Sequence, residues 1–202
     1  MSPEKNYGLL AAIDWNTNNW SGLSSPEDLE KSDFKAVEEG EIISSSLNFG
    51  HLQYASETDE YYYGLLPQLL TKTLDRDKSL HLKIVFLKSK DFNTGKLYIV
   101  GFYSFPVFVR GKRPSPLPDS DVDFTYNIKA KPADIHLVEN FVDISDAALQ
   151  KKIIPGGKKI GPQAFNYLPK QQVFNVLDAM TKLNPDDKRL HAIKLRLLRA
   201  IV

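Results

Sequence analysis

The residues best suited to chemistry lie in one short polar and aromatic turn, Asp14-Trp15-Asn16-Thr17-Asn18-Asn19-Trp20. Both tryptophans of the chain fall within this turn, directly after an apolar stretch. A tryptophan ring holds a planar base by stacking, while an asparagine or aspartate pairs with the donors and acceptors on the edge of that base. The alternative is structural: one tryptophan closes the end of a sheet and the other packs on the following helix. The tryptophan turn, residues 14–20, therefore predicts a stacking pocket, with packing as the competing interpretation.

Candidate phosphate contacts lie in two basic segments. Arg110, Lys112 and Arg113 follow a predicted strand, and Lys158 and Lys159 belong to the glycine-rich stretch 155–161. Basic side chains that share one face position a nucleic-acid backbone through its phosphates. Each group alone is more typical of a solvated surface. We expect a basic rim around the pocket if the segments meet on one face.

Motifs for catalysis are missing from the sequence. The glycine-rich stretch 155–161 fits neither the phosphate-loop nor the dinucleotide spacing, and no G-x-S-x-G nucleophile turn occurs. The chain has no cysteine, and none of its four histidines has a second ligand at metal spacing. These histidines are His51, His81, His136 and His191. We therefore predict a binding protein rather than an enzyme, with no metal and no cofactor.

Composition narrows the class of protein. The 202 residues are 42% hydrophobic and 25% charged, as in ordinary soluble domains, and the net charge is +1. Near neutrality argues against coating nucleic acid by charge alone but permits a local basic face. The lack of cysteine fits a reducing compartment, and no apolar run approaches the roughly 20 residues that span a bilayer. We expect a cytoplasmic protein without membrane contact.

The hydrophobic pattern predicts an α+β fold. Helices are predicted from Ser25-Pro26 to about Glu39-Gly40, over Pro169–Leu183, and after the cap at Asn184–Asp187. Strands are predicted at Tyr7–Trp15, His81–Lys88, Lys96–Phe105, Val107–Arg110, Asp123–Lys129, Ile135–Val138 and Phe141–Ile144. Many short strands favour one small barrel-like sheet over residues 1–168. The helices of residues 169–202 then pack on the barrel or lead to a further domain.

A strand that runs into Trp15-Asn16-Thr17-Asn18-Asn19-Trp20 resembles the opening of EVE-type domains of the PUA superfamily, which also includes YTH-like readers. The capped helix, the small-residue segment Ser44–Gly50 and the strand Leu97–Tyr103 with its Ile-Val-Gly sequence agree with it. Gly161-Pro162-Gln163-Ala164-Phe165 before a helix agrees as well, so the resemblance covers roughly residues 7–180. It implies a small β-barrel with flanking helices that binds RNA or accepts a flipped, modified base of DNA. In prokaryotes such domains occur at the N-terminus of modification-dependent restriction proteins, including McrB-like GTPase subunits.

The resemblance also implies a set of pocket residues. They are Asp14, Trp15, Asn16, Trp20, Ser46, Asn48 and Phe49. Because only two tryptophans exist, Phe49, Tyr54 or one of Tyr61–Tyr63 has to form the third wall. The expected function is recognition of a flipped, methylated base in DNA, with cleavage by a separate domain or subunit of a restriction complex. An RNA-binding domain and a protein-interaction module without a nucleic-acid ligand are the alternatives.

Overall fold

Two β-sheets and a layer of helices form the protein in the computed structural model, which describes residues 6–32, 44–56, 58–74, 76–117, 121, 123–156, 160–161 and 165–200. The strands are β1 Gly8–Ala12, β2 Tyr62–Gly64, β3 Ile84–Lys90, β4 Leu97–Ser104, β5 Val107–Arg113, β6 Phe124–Ala130, β7 Ile135–Asp143 and β8 Asn166–Leu168. The large sheet has the order β7-β4-β3-β1-β8, and the small sheet has the order β2-β6-β5. Among the strand pairs of the described residues, β1 and β3 are parallel and the others are antiparallel. The predicted α+β class is thereby confirmed.

The helices are short except for the last two. They are α1 Pro26–Glu30, α2 His51–Tyr54, α3 Gln68–Thr71, α4 Arg76–Ser79, α5 Ala147–Ile153, α6 Lys170–Leu183 and α7 Lys188–Arg199. The predicted start at Ser25 is confirmed, since its hydroxyl accepts from the Asp28 amide and the Asp28 carboxylate accepts from the Ser25 amide. The prediction that this helix continues to about Glu39-Gly40 is wrong, because α1 ends at Glu30 and does not continue through Lys31 and Ser32. Residues 39 and 40 themselves lie outside the described residues. Asp187 caps α7 by accepting from the Leu190 amide at 2.9 Å.

The large sheet is buried on both faces because its residues alternate between two cores. Leu10, Phe86 and Phe102 join the apolar side of α6 and α7 in one core. The neighbouring residues Leu9 and Val85 belong to the other core, between the two sheets. Successive side chains of a strand point to opposite faces, so continuous apolar runs in β1, β3 and β4 produce a layer covered on both sides. The order of layers is helices, large sheet, small sheet.

The predicted barrel is not confirmed, because neither sheet closes within the described part of the chain. The chain leaves the large sheet after Ser104, where Phe105 has a left-handed φ of 49° and Pro106 offers no amide for a continued ladder. Strand β5 then pairs with β6 in the small sheet. The two sheets consequently pack face to face through side chains, and no ladder of the described residues joins them.

The C-terminal helices share their core with the large sheet. Val173, Val176, Leu177 and Met180 of α6 are fully buried in the cluster that contains the apolar residues of β3 and β4. The Tyr7 hydroxyl donates to the carbonyl of Leu197 at 2.6 Å, which ties α7 to the residue preceding β1. The helical segment after residue 169 therefore packs on the sheet.

A lysine side chain lies fully inside this fold. Lys88 of β3 has no exposed surface, and its ammonium donates to the carbonyl of Gly161. Burial lowers the pKa of Lys88 from 10.5 to about 7. Between these pH values the unfolded chain binds a proton that the folded protein does not, so stability increases as the pH rises from 7 to 10.5.

Replacement of Lys88 by methionine is expected to stabilise the protein most at pH 7, because it removes the cost of a buried charge. The gain should shrink by at most about 1.4 kcal/mol per pH unit as the pH rises toward 10. Urea denaturation at pH 7, 8.5 and 10 measures this trend. Lys90→Met, at the exposed end of the same strand, is the matched control. A gain from Lys88→Met that is the same at all three pH values would contradict the assignment.

Candidate functional site

The tryptophan turn is held in shape by the side chain of Asn16. Its Oδ1 accepts from the amides of Asn18 at 2.8 Å and Trp20 at 3.1 Å. These bonds hold Asn19 and Trp20 in left-handed conformations with φ of 55° and 53°, which bulky residues rarely adopt. The indole of Trp20 donates to the carbonyl of Asp14 at 2.6 Å. The backbone of the turn is therefore held by bonds within the turn, while Thr17 and the Asn18 amide bond to Asp28 and Leu23 just after it.

The structure brings the tryptophan turn against the segment Ser46–Phe49. The amide of Phe49 donates to the carbonyl of Trp20 at 2.8 Å, and the two rings meet edge to face at 6.1 Å. Trp15 stands edge to face with Trp20 at 5.5 Å, and Phe141 of β7 contacts both indoles. Trp20 is buried, and Trp15 is half-buried. The aromatic rings thus pack on one another rather than as parallel walls around an open slot.

The polar members of the predicted pocket are used within the fold. Asn48 donates to the carbonyl of Leu65 at 2.9 Å and accepts from the Leu65 amide at 2.8 Å. Asp14 accepts from the hydroxyl of Ser32 at 2.9 Å, and Ser46 is buried. In this arrangement the asparagine amides position backbone, and they do not point their edges at an open space.

An open cavity of about 270 Å³ lies beside Phe49. Its lining includes Asn19, Phe49, His51, His136, Leu137 and Arg189. These residues come from the tryptophan turn, α2, β7 and α7, so the C-terminal helices complete the cavity. A larger hollow of about 570 Å³ near Phe165 and Gln172 has no charged side chain among its described lining residues. We refer to the first as the His51 cavity.

His51 is the most unusual residue of this cavity. It is 5% exposed, and neither ring nitrogen has a hydrogen-bond partner of normal geometry among the described residues. Burial, followed by the charges of Arg189 and His136, lowers the pKa of His51 to about 4, and a weak hydrogen-bonding contact with the Phe49 backbone opposes this. His51 is therefore neutral at pH 7 and carries one donor and one acceptor. A buried polar ring without partners is costly unless a ligand supplies them.

Charged groups surround the neutral imidazole. Nε2 of His136 lies 2.6 Å from Oδ2 of Asp187, the capping residue of α7. Burial lowers the pKa of His136, although Asp187 acts in the opposite direction. Arg189 is half-buried and donates to the carbonyl of Pro132, which fixes its guanidinium at the cavity. The cavity thus combines an aromatic wall, a donor–acceptor imidazole and a fixed cation.

The predicted phosphate contacts lie partly on the small sheet. Arg110 and Lys112 are exposed on β5 and Arg113 is half-buried, while Lys158 and Lys159 lie outside the described residues. Strand β5 is an edge of the small sheet, where charged side chains also prevent pairing with another chain. The structure therefore places three of the five predicted cations on one strand, and it describes no contact of theirs with the glycine-rich stretch.

Arg113 belongs to a cluster that sequence reasoning missed. Its guanidinium lies 4.9 Å from the centre of the Tyr63 ring, and the Tyr126 ring lies 4.6 Å from the same ring. The Lys129 ammonium lies 4.0 Å from the Tyr61 ring and 5.8 Å from the Tyr63 ring. We call Tyr61, Tyr63, Arg113, Tyr126 and Lys129 the tyrosine–cation face. The run Tyr61–Tyr63 was the only signal in the sequence.

Tyr62 connects this face with the His51 cavity. It is buried, its ring lies 6.0 Å from that of His51, and its hydroxyl donates to the carbonyl of Leu47 at 2.8 Å. Burial raises the pKa of Tyr62, and the positive charge of Arg113 partly opposes this. Tyr62 and Tyr63 point to opposite sides of β2. The short strand β2 thus contributes to both the His51 cavity and the tyrosine–cation face.

Comparison of the chain with protein-family models, with curated proteins and with solved structures gave no match. Within the described ranges, no helix is long and apolar enough to cross a membrane. No group of three or more histidine, aspartate or glutamate side chains in the same residues is arranged to hold a metal ion.

Replacement of Asn48 by alanine is expected to lower the free energy of unfolding by about 2–4 kcal/mol, because both backbone groups of Leu65 lose their buried partner. Chemical denaturation measures the change. Asn93→Ala, in the exposed hairpin loop, is the control and should stay within about 0.5 kcal/mol of the parent. A loss for Asn48→Ala as small as that of the control would show that these bonds contribute little.

Acidification is expected to destabilise the protein through His51. Its folded pKa of about 4 lies below the ordinary 6.5, so the stabilisation is complete above pH 6.5 and is lost as the pH falls toward 4. The loss from this residue amounts to at most about 3 kcal/mol. His51→Phe, which keeps a ring against Tyr62, should lose this contribution and keep the pH dependence of the other groups whose pKa is lowered, among them His136, Asp143 and Asp187.

Thermal unfolding at pH 7, 6, 5 and 4.5 measures the difference. His191→Phe on the exposed side of α7 is the matched control, since it removes a solvent-accessible histidine. Equal pH dependence of His51→Phe and the parent protein would rule out a buried neutral imidazole.

Proposed function

We propose that this chain is a cytoplasmic nucleic-acid-binding module that accepts one flipped, methylated base of DNA in the His51 cavity. The observation that supports this function is the cavity itself, with an aromatic wall, an unpartnered buried imidazole and a fixed arginine around about 270 Å³. Small-ligand sites are typically apolar cavities with a few well-placed polar groups, at somewhat larger volumes. Any cleavage belongs to a separate domain or subunit, as the resemblance to domains of restriction proteins implies.

The chemistry of a base matches that of the lining. Phe49 is buried against Trp20 and Tyr103 and lines the cavity, so it gives a planar base an apolar wall to pack against. The edge of the base supplies the donor and acceptor that His51 lacks, and Arg189 neutralises an adjacent phosphate. Together these contacts offset the few kcal/mol that unstacking a base costs. Leu137 offers an apolar surface to a methyl group.

The proposal differs from the sequence prediction in the residues that touch the base. Trp20, Asn16 and Asn48 hold the backbone that carries Phe49 and His51. The base itself contacts the residues that line the His51 cavity. The charges of Arg110, Lys112 and Arg113 serve the phosphate backbone outside the cavity. RNA is the alternative ligand, since an unstacked base of RNA offers the same edges.

Direct competition tests the ligand. A labelled duplex with one 5-methylcytosine or N6-methyladenine is expected to bind at least tenfold more tightly than the unmodified duplex at the same salt concentration, a difference of about 1.4 kcal/mol. Structured RNA serves as the third competitor. Equal displacement by all three would contradict base recognition, and preferential displacement by RNA would assign the module to RNA.

A blocking variant tests the cavity. Gln53 lines its exposed rim on α2, so Gln53→Trp should fill the entrance and weaken binding of the methylated duplex by at least tenfold. Gln171→Trp places the same ring on an exposed position of α6 and is the control. Arg189→Gln should also weaken binding. Unchanged affinity of the folded Gln53→Trp protein would exclude this cavity as the site.

A further inference from the structure

We propose that the tyrosine–cation face is a second binding site, which takes a short single-stranded segment of nucleic acid. The proposal rests on the proposed function for the class of ligand, and it adds a site on the small sheet. The observation that carries it is the juxtaposition of three tyrosine rings with two cations. All five side chains are half-buried, so the rings are partly open to solvent.

Strand pairing builds this face. Tyr63 of β2 is in register with Lys129 of β6, and Tyr126 of β6 is in register with Gly111 of β5. A Cβ atom at position 111 would lie 2.4 Å from the Tyr126 hydroxyl. Glycine at position 111 therefore allows the Tyr126 ring to lie close over β5 and to reach Tyr63.

The two cations are held by rings rather than neutralised by acids. Neither Arg113 nor Lys129 forms an ion pair with a carboxylate among the described residues; ion pairs there involve other cations. Two carboxylates lie near the face without forming such a pair: Glu60 accepts a hydrogen bond from the Tyr61 hydroxyl, and the pKa of Asp59 is lowered first by the Ser56 amide and to a smaller degree by Arg113. The guanidinium and the ammonium thus stay unpaired with carboxylates among the described residues. An arginine stacked on a ring still presents its N–H edge for a forked bond to phosphate.

The combination of rings and cations favours single-stranded nucleic acid over other anions. Tyrosine rings bind bases by stacking on an exposed base face, and such faces are covered in a duplex. Lys129 and Arg113 provide the phosphate contacts that accompany stacking in sequence-tolerant binding. An acidic peptide would use the charges and leave the rings without a planar partner.

Fluorescence anisotropy with a labelled twelve-nucleotide oligo-dT strand tests the proposal on the full chain. The parent protein is expected to bind at low salt, and Tyr63→Leu should weaken binding between about 5-fold and 150-fold, the equivalent of one stacked base. Lys129→Gln should reduce the salt dependence by about 0.7 in the slope of log K against log salt concentration. Tyr63→Phe keeps the ring and should bind within twofold of the parent.

Lys31→Gln is the matched control for charge. Lys31 also stands over an aromatic ring, with its ammonium 4.7 Å from the centre of Phe92, but it lies elsewhere and pairs with Glu27. Its replacement should leave binding of oligo-dT unchanged. Equal losses for Lys31→Gln and Lys129→Gln would overturn the proposal, as would absence of binding by the parent protein or equal binding of poly-glutamate. If Tyr63→Leu does not fold, the proposal is tested by the loss of oligo-dT binding in Lys129→Gln and Arg113→Gln relative to the control Lys31→Gln.

The two proposals fail in different ways. Binding of the methylated duplex without binding of oligo-dT overturns the single-strand site and leaves base recognition intact. Binding of oligo-dT that depends on Tyr63, without preference for a methylated duplex, overturns base recognition alone. Absence of both overturns both.

Discussion

The side-chain amides of Asn48 and Asn127 make the hydrogen bonds to the backbone of Leu65 and Leu66 that a neighbouring strand would make in a sheet. Asn48 pairs with both backbone groups of Leu65, and Asn127 pairs in the same manner with both backbone groups of Leu66, all at 2.8–2.9 Å. Both asparagines are buried, so without these bonds four buried peptide groups would lack partners. These four hydrogen bonds, which we call the amide clamp, fix the end of β2. Because Phe49 and His51 lie one and three residues after Asn48, the amide clamp also fixes the wall of the cavity.

The use of side-chain amides as partners for the backbone also sets the imidazole of His51 apart. Where the backbone needs a partner, the chain supplies an amide, as Asn16 does for Trp20 and Asn184 does for the carbonyl of Asn140. His51 differs from these amides, since it is buried next to a fixed arginine and both of its ring nitrogens have no partner of normal geometry in the described part of the chain. A buried ring with two such nitrogens at the wall of a cavity favours a role in binding.

Much of the frame could be predicted from the sequence because it depends on local signals. The cap at Ser25, the helix start after Asn184–Asp187 and the apolar runs of β3 and β4 each reflect neighbours in the chain. The contact between residues 14–20 and 46–49 was also predicted, through the resemblance. What could not be predicted depends on distant partners: His51, His136 and Arg189 meet only because α7 packs across β7. The sheets stay open because the chain leaves the large sheet at Phe105, and the amino-acid composition does not reveal this change of direction.

Gly64 shows how tightly the two proposed sites are tied to one strand. A Cβ atom at this position would lie 2.5 Å from both the Asn48 Oδ1 and the Tyr103 hydroxyl. The amide clamp therefore needs glycine at the end of β2. The strand has only three residues, so Tyr62 against His51 and Tyr63 against Arg113 cannot shift independently of the clamp.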